Sequence, residues 1–145
     1  MQFEDVIGHT GLKSQLREMI DAGRISHALM FTGNEGSGNL AMALAFGSYL
    51  LAKNSPGFDA AMTKCEKLVH PDFHFCYPIN RTKRITGSKI ISKDFISEWR
   101  EAVRNNPYMA SGEWLAHLGI ANKQGLINVE QAREILKDLS LKPYE

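Results

Sequence analysis

A glycine-rich segment at residues 33–40, which reads GNEGSGNL, is the part of the sequence whose residue types and spacing point most directly to a chemical function. Phosphate-binding P-loops follow the pattern G-x-x-x-x-G-K-[ST], in which backbone amides surround phosphates at the start of a helix. Gly33 and Gly38 occupy the two glycine positions of that pattern. The segment therefore predicts an anion-binding loop with the candidate residues Gly33, Gly36, Ser37, Gly38, Asn39 and Leu40.

The two side chains that hold nucleotide in a P-loop are altered here. Asn39 stands where the pattern has lysine, and Leu40 stands where it has serine or threonine. Asparagine is shorter than lysine and uncharged, and leucine cannot ligate Mg²⁺. We therefore interpret the segment as a degenerate P-loop that does not support ATP hydrolysis, and we expect no bound cofactor.

The segments on either side of the loop indicate the fold class. Residues 27–32 form a short apolar run typical of a buried strand, and residues 40–52 are apolar on nearly all sides, as in a buried helix. A strand, a glycine loop and a buried helix in this order open an α/β nucleotide-binding unit. The alternative is that the glycines only close a tight turn between the two elements.

Signals in the rest of the chain complete a mixed α/β pattern. Period-two alternation predicts a second strand over residues 72–77, and the polar and basic residues 78–91 are expected to form an exposed excursion. Four further helices are predicted from their caps and apolar faces: one opened by Thr10 and stopped by Gly23, one opened by Ser92 or Asp94 and ended before Pro107, one around residues 113–118, and one capped by Asn128 with Val129, Ala132, Ile135, Leu136 and Leu139 on its apolar side.

Composition and charge exclude several classes of protein. The chain of 145 residues has a formal net charge of +1, which gives no basic surface for binding nucleic acid on its own. No apolar run reaches the roughly 18 residues of a membrane helix, and the N-terminus lacks the layout of a signal peptide. Two cysteines are too few for a disulfide framework. We expect a cytoplasmic protein without a membrane partner.

One polar cluster contains residue types that bind metals. His70, Asp72, His74 and Cys76 would share one face of the second predicted strand. Alternating polar residues are also ordinary for a half-exposed strand, and Pro71 disturbs the alternation at its start. We therefore expect no metal site.

The excursion carries a basic cluster whose side chains could contact DNA or a neighbouring protein. A solvated loop is the simpler interpretation, because scattered lysines and arginines are ordinary on a protein surface. The residues concerned are Lys83, Arg84, Lys89 and Lys93.

Four segments of the chain resemble those of the AAA+ clamp-loader family. Residues 3–9 (FEDVIGH) are similar to the family's opening F-x-D-[VI]-[IV]-G-[QH], and residues 23–31 (GRISHALMF) to its run into the first strand. Residues 70–72 (HPD) resemble the start of its second strand, and residues 127–135 (INVEQAREI) resemble a later helix. The similar segments come in family order, and residues 78–125 are the main stretch without a counterpart.

The resemblance implies an α/β P-loop NTPase fold of the AAA+ type, a three-layer domain with a parallel sheet, cut short before the strand that carries the Walker B acids. Residues 1–145 would be the N-terminal part of an AAA+ module, without its lid and collar domains. The family loads the sliding clamp onto primed DNA for bacterial DNA polymerase III. Its delta-prime subunit often has a degraded P-loop, so Asn39 and Leu40 favour the delta-prime type.

Delta-prime character implies a catalytically silent subunit. It would assemble with γ/τ-like ATPase subunits and the delta subunit, and it would reach the sliding clamp and primed DNA through that complex. The family's four-cysteine zinc module is not matched, because Cys65 is the one cysteine in its interval. Two alternatives stay open: a γ/τ-like ATPase that retains weak nucleotide binding, and a protein-interaction domain of unrelated purpose on a P-loop scaffold.

Overall fold

The computed structural model describes residues 1–141. They form two compact units, one of residues 1–73 and one of the described residues from 74 onward. Among residues 1–141 there are six α-helices and two short 3₁₀ helices. None of the helices in this described part is both long and apolar enough to cross a membrane.

The first unit contains a 3₁₀ helix (Phe3–Asp5) and helices α1 (Thr10–Asp21), α2 (Asn39–Asn54) and α3 (Phe58–Glu66). Helix α2 confirms the predicted buried helix, because residues on several of its sides are buried and both α1 and α3 pack against it. The sequence pattern did not predict α3.

Helix α1 begins at Thr10, so that His9 and not Thr10, the predicted cap, precedes it; a glycine ends the helix, as predicted. The Gly23 amide donates to the Ile20 carbonyl at 3.0 Å. The Arg24 amide donates to the Met19 carbonyl, also at 3.0 Å. This pair of bonds needs a residue in the left-handed region after the last turn, and Gly23 supplies it with a φ of +64°.

A close approach to the backbone of α2 requires a small residue at position 47. A Cβ atom added at Gly47 would lie 3.0 Å from Cζ of Phe73, closer than ordinary van der Waals contact. The Phe73 ring therefore packs directly on the helix backbone. A glycine inside a helix costs about 0.5–1 kcal/mol relative to alanine, and this contact is a physical reason for its presence.

The predicted strand at residues 27–32 is absent, and with it the three-layer parallel-sheet P-loop fold of the AAA+ type. The described residues are mainly helical and contain no sheet. Leu29 and Met30 are exposed, Met30 to 87%. A strand needs a neighbour that pairs with its amide and carbonyl groups, and none of residues 1–141 pairs with this segment. The apolar run indicated a segment that suits a buried strand, but a strand also needs a partner segment, which the run does not predict.

The second unit contains a 3₁₀ helix (Ser92–Phe95) and helices α4 (Ile96–Asn105), α5 (Ser111–His117) and α6 (Val129–Ser140). All three α-helices confirm predicted helices. Asn128 caps α6 as predicted, because its side-chain oxygen accepts a hydrogen bond from the Gln131 amide at 2.8 Å.

Three aromatic side chains form the centre of the second unit's core. Tyr77 stacks on Trp99 with ring centroids 4.2 Å apart, and Trp114 meets these rings edge-on at 5.0 and 5.2 Å. All three side chains are buried. The Trp114 Nε1–H donates to the Pro78 carbonyl at 2.8 Å. Burial raises the pKa of Tyr77, so its hydroxyl stays protonated and donates a hydrogen bond.

A buried polar network around Ser92 connects this core to α6. The Tyr77 amide donates to Ser92 Oγ at 3.2 Å, and Ser92 Oγ donates to the Tyr77 carbonyl at 3.1 Å. The Tyr77 hydroxyl donates to the Ser92 carbonyl at 2.7 Å. The Ser92 amide donates to Oε1 of Gln131, a buried residue of α6. Because buried polar groups are costly without partners, this network fixes where α6 docks.

The second predicted strand, at residues 72–77, is also absent. Within residues 1–141, the one strand-like pairing outside helices is an antiparallel bridge between Ile79 and Leu126. Burial still alternates at the end of the predicted strand, with Cys76 exposed and Tyr77 buried. The period-two pattern therefore predicted the alternation correctly, whereas strand pairing depends on a neighbouring segment.

Helix α6 docks through polar residues and leaves much of its predicted apolar side exposed. Glu134 and Asp138 accept hydrogen bonds from Lys93 at 2.7 and 2.9 Å. Leu136 is 68% exposed and Leu139 is 77% exposed. The helix forms where the sequence predicts it, but it does not bury these two leucines.

Replacing Gln131 by alanine should lower the free energy of unfolding by about 1–3 kcal/mol, because the buried Ser92 amide loses its acceptor. Chemical denaturation monitored by tryptophan fluorescence measures this change. Gln124→Ala, at an exposed glutamine of the same unit, is the matched control and should change stability by less than about 0.5 kcal/mol. Equal stability of both variants would show that the network does not hold α6.

The exposed leucines of α6 predict concentration-dependent self-association, because exposed apolar side chains on successive helical turns form a patch that favours contact with another apolar surface. Replacing both Leu136 and Leu139 by lysine should keep the chain monomeric in light scattering. Adding two lysines at exposed Ser97 and Gln124 controls for charge and should leave association unchanged. A monomer at all concentrations of the unaltered chain would contradict this prediction.

Candidate functional site

The glycine loop connects the irregular segment at residues 27–32, called the extended segment below for the strand that the sequence predicted there, to the first turn of α2. Gly36 and Gly38 have φ angles of +76° and +94°, a conformation that residues with a Cβ atom adopt only at a cost. The Ser37 amide donates to the Asn34 carbonyl at 3.1 Å and closes a tight turn. The glycine spacing recognised in the sequence therefore has a local backbone reason.

A cavity of about 490 Å³ lies beside the loop in the first unit. Gly36 and Leu40 lie outside its lining. The other four predicted site residues line it: Gly33, Ser37, Gly38 and Asn39. Most of the remaining wall is apolar and comes from α1, the extended segment and α2: Leu12, Leu16, Leu29, Met30, Phe31 and Met42.

The side chain of Asn39 folds back onto the loop. Its Nδ2–H donates to the Gly33 carbonyl at 3.2 Å. The single proton of the Ser37 hydroxyl is donated to the Asn34 carbonyl at 2.7 Å, and Oδ1 of Asn39 is a second, longer contact of the same hydroxyl at 3.1 Å. The amide of Asn39 is therefore held within the loop. At the position where a P-loop has a cation for the terminal phosphates, this chain has a neutral group engaged in internal hydrogen bonds.

The start of α2 offers backbone donors next to the cavity. Gly38 is the capping residue, and the Met42 amide donates to the Gly38 carbonyl at 2.8 Å as the first bond of the helix. The amides of Asn39, Leu40 and Ala41 precede that bond, so they have no acceptor within the helix, and glycine has no side chain to cap them. Such amides at the positive end of a helix dipole can bind an anion.

His9 is a residue of this site that the sequence analysis missed. It is the residue before α1, a position that the sequence assigned to Thr10, and its φ of 53° and ψ of 34° place it in the left-handed region. The His9 Nε2–H donates to the Ser37 carbonyl at 2.9 Å. The one signal in the sequence was that His9 is a polar residue directly after Gly8. That signal does not show that its imidazole lies near Ser37, because tertiary packing brings the two residues together.

The alternative metal ligands do not form a site. Nδ1 of His74 lies 3.5 Å from a carboxylate oxygen of Asp138. His70 Nδ1 accepts a hydrogen bond from the Asp72 amide at 3.2 Å. Cys76 is exposed. In the described range, residues 1–141, no three His, Cys, Asp or Glu side chains lie close enough together to hold a metal ion.

Ion pairs neutralise part of the basic cluster in the excursion. Arg84 pairs with Glu98, and Lys93 pairs with two carboxylates of α6. Hydrogen bonds to those carboxylates raise the pKa of Lys93. Lys83 and Lys89 are exposed. The cluster therefore contributes to the packing of the second unit and presents less free positive charge than its sequence suggests.

Comparison with known proteins gives one match. A family model described as "DNA polymerase III, delta subunit" matches residues 8–145, nearly the whole chain. No curated protein matches the sequence. No solved structure matches it either. On the extent of the family match, the chain belongs to the DNA polymerase III delta-subunit family and is related to the subunits of the clamp loader.

Proposed function

We propose that the chain is a delta-prime-type clamp-loader subunit that does not hydrolyse ATP. It assembles with γ/τ-like ATPase subunits and the delta subunit, and it reaches the sliding clamp and primed DNA through that complex. Family membership supports the clamp-loader setting. The side chains of the glycine loop support the non-hydrolysing role.

The observation that carries the proposal is the arrangement of Asn39. Its amide is uncharged, and the Nδ2–H donates to the Gly33 carbonyl within the loop, so the side chain offers no charge to a phosphate and is engaged elsewhere. A hydrogen bond to a charged group contributes about 1.5–3 kcal/mol, and its loss weakens nucleotide binding by about tenfold to a hundredfold. Leu40 adds a second loss, because an aliphatic side chain cannot ligate the Mg²⁺ that phosphoryl transfer requires.

A weak anion site is the residual capacity that we propose for the loop. The candidate residues are the six predicted from the sequence, and the donors are backbone amides at the start of α2 rather than side chains. An isolated phosphate or sulfate satisfies such donors. A complete Mg-ATP does not find the side-chain ligands that it needs.

The charge distribution supports action through partners rather than direct binding of DNA. The chain has a formal net charge of +1, and Arg84 and Lys93 are occupied in ion pairs. Affinity for DNA depends mainly on cations that neutralise phosphates. A subunit without a clear excess of positive charge therefore depends on its assembly for contact with DNA.

Isothermal titration of the chain with Mg-ATP should show no saturable binding up to millimolar nucleotide, because both side-chain ligands are missing. Asn39→Lys alone should recover part of the affinity, because it restores the charge, whereas Leu40 still cannot ligate the metal. The double variant Asn39→Lys/Leu40→Thr restores the P-loop pattern and should bind about tenfold or more tightly. Micromolar binding by the unaltered chain would contradict the loss of nucleotide binding.

Clamp-loader ATPase activity reconstituted with the full-length subunit should depend on it. Arginine fingers supplied in trans raise NTPase rates by about 10³ to 10⁵, so a catalytically silent neighbour can control turnover. We expect omission of the subunit to abolish DNA-stimulated ATP hydrolysis, and Asn39→Lys to leave it unchanged. If the ATPase subunits load clamps equally well without the subunit, the delta-prime assignment is wrong.

A further inference from the structure

Three carbonyl groups of the glycine loop each accept a hydrogen bond from a side chain of the same unit. Asn39 Nδ2 donates to the Gly33 carbonyl at 3.2 Å, and Ser37 Oγ donates to the Asn34 carbonyl at 2.7 Å. His9 Nε2 donates to the Ser37 carbonyl at 2.9 Å. The loop therefore has donors for these carbonyls without any ligand.

The same side chains fill the inner side of the loop. A Cβ atom added at Gly33 would lie 2.6 Å from Asn39 Oδ1 and 2.6 Å from Ser37 Oγ. Distances below 3.0 Å do not occur for real Cβ contacts, so these two polar atoms lie directly against the backbone of residue 33. A phosphate on this side of the loop would have to displace them.

His9 holds the loop from the neighbouring segment. Its left-handed backbone is unusual for a residue with a side chain, and such conformations persist where surrounding structure holds them. The His9 carbonyl accepts a hydrogen bond from the Lys13 amide at 3.0 Å, and the Lys13 ammonium donates to the Val6 carbonyl. Both bonds fix the segment from which the imidazole reaches the loop.

We infer that the glycine loop is locked by its own side chains, with Asn39 as the principal positioning residue, so that its conformation does not depend on a bound nucleotide. This inference rests on the proposed function, since it explains how a subunit without nucleotide turnover keeps its loop in one shape. The conformation of residues 33–38 would therefore be the same with and without phosphate.

Whether these side chains lock the loop is tested by hydrogen exchange of the backbone amides of residues 33–38, measured on the full chain with and without inorganic phosphate. Phosphate bound by the amides at the start of α2 should leave the exchange of residues 33–38 in the unaltered chain unchanged. Asn39→Ala should speed exchange of the Ser37 amide, which donates to the Asn34 carbonyl, about fivefold to tenfold, the effect of losing a typical hydrogen bond. Asn39→Asp should do the same, because it keeps the shape and the acceptor for Ser37 but removes the donor to Gly33.

Asn34→Ala is the matched control, because it removes an asparagine side chain that makes none of the three locking bonds. Its exchange should equal that of the unaltered chain. Helical circular dichroism checks that each variant folds, and Ser37→Ala provides a second route if the Asn39 variants do not. Protection of the unaltered loop by phosphate, or unchanged exchange in the folded Asn39 or Ser37 variants, would overturn the lock.

Failure of the lock and failure of the proposed function have different signatures. If phosphate protects the loop and the reconstituted clamp loader still requires the subunit, the inference of a locked loop is wrong and the proposed delta-prime role stands. A clamp loader that works equally well without the subunit removes the proposed function, whatever the exchange of residues 33–38 shows.

Discussion

Hydrogen bonds from side chains to the carbonyl groups of the glycine loop are the interaction on which the candidate site depends. A loop with glycines in left-handed conformations pays more conformational entropy than other segments, so it needs partners to keep one shape. Asn39 and His9 supply donors on its two flanks. These contacts come from side chains of the same unit, so they hold the loop without a ligand.

A different polar contact organises the second unit. Ser92 is buried, and its amide, hydroxyl and carbonyl are all hydrogen-bonded. One of its partners is Gln131 of α6, which brings a polar residue of that helix inward. Leu136 and Leu139 then remain exposed. An amphipathic helix usually docks by its apolar side, and here the buried hydrogen bonds prevail, because an unpaired amide in the core costs more than an exposed leucine.

Five of the six α-helices described in residues 1–141 could be predicted from the sequence, because their signals are local; α3 was not predicted. Gly23 ends α1 and Asn128 caps α6 through bonds to residues within a few positions in the chain. The strands at residues 27–32 and 72–77 could not be predicted reliably, because alternation or an apolar run describes only one partner of a pair. The glycine loop could be located from its spacing, whereas His9 could not, because 28 residues separate it from Ser37.

The sequence by itself determined the end of α1 at Gly23, the cap of α6 at Asn128, the position of the glycine loop, and the absence of lysine and of a hydroxyl at positions 39 and 40. It also carried the family relationship. Only the tertiary structure decided that residues 1–141 form helical units without a sheet, that His9 reaches the loop, and that α6 buries Gln131. The physical reason is range: caps, turns and side-chain types act within a few residues, whereas strand pairing and burial depend on segments that only folding brings together.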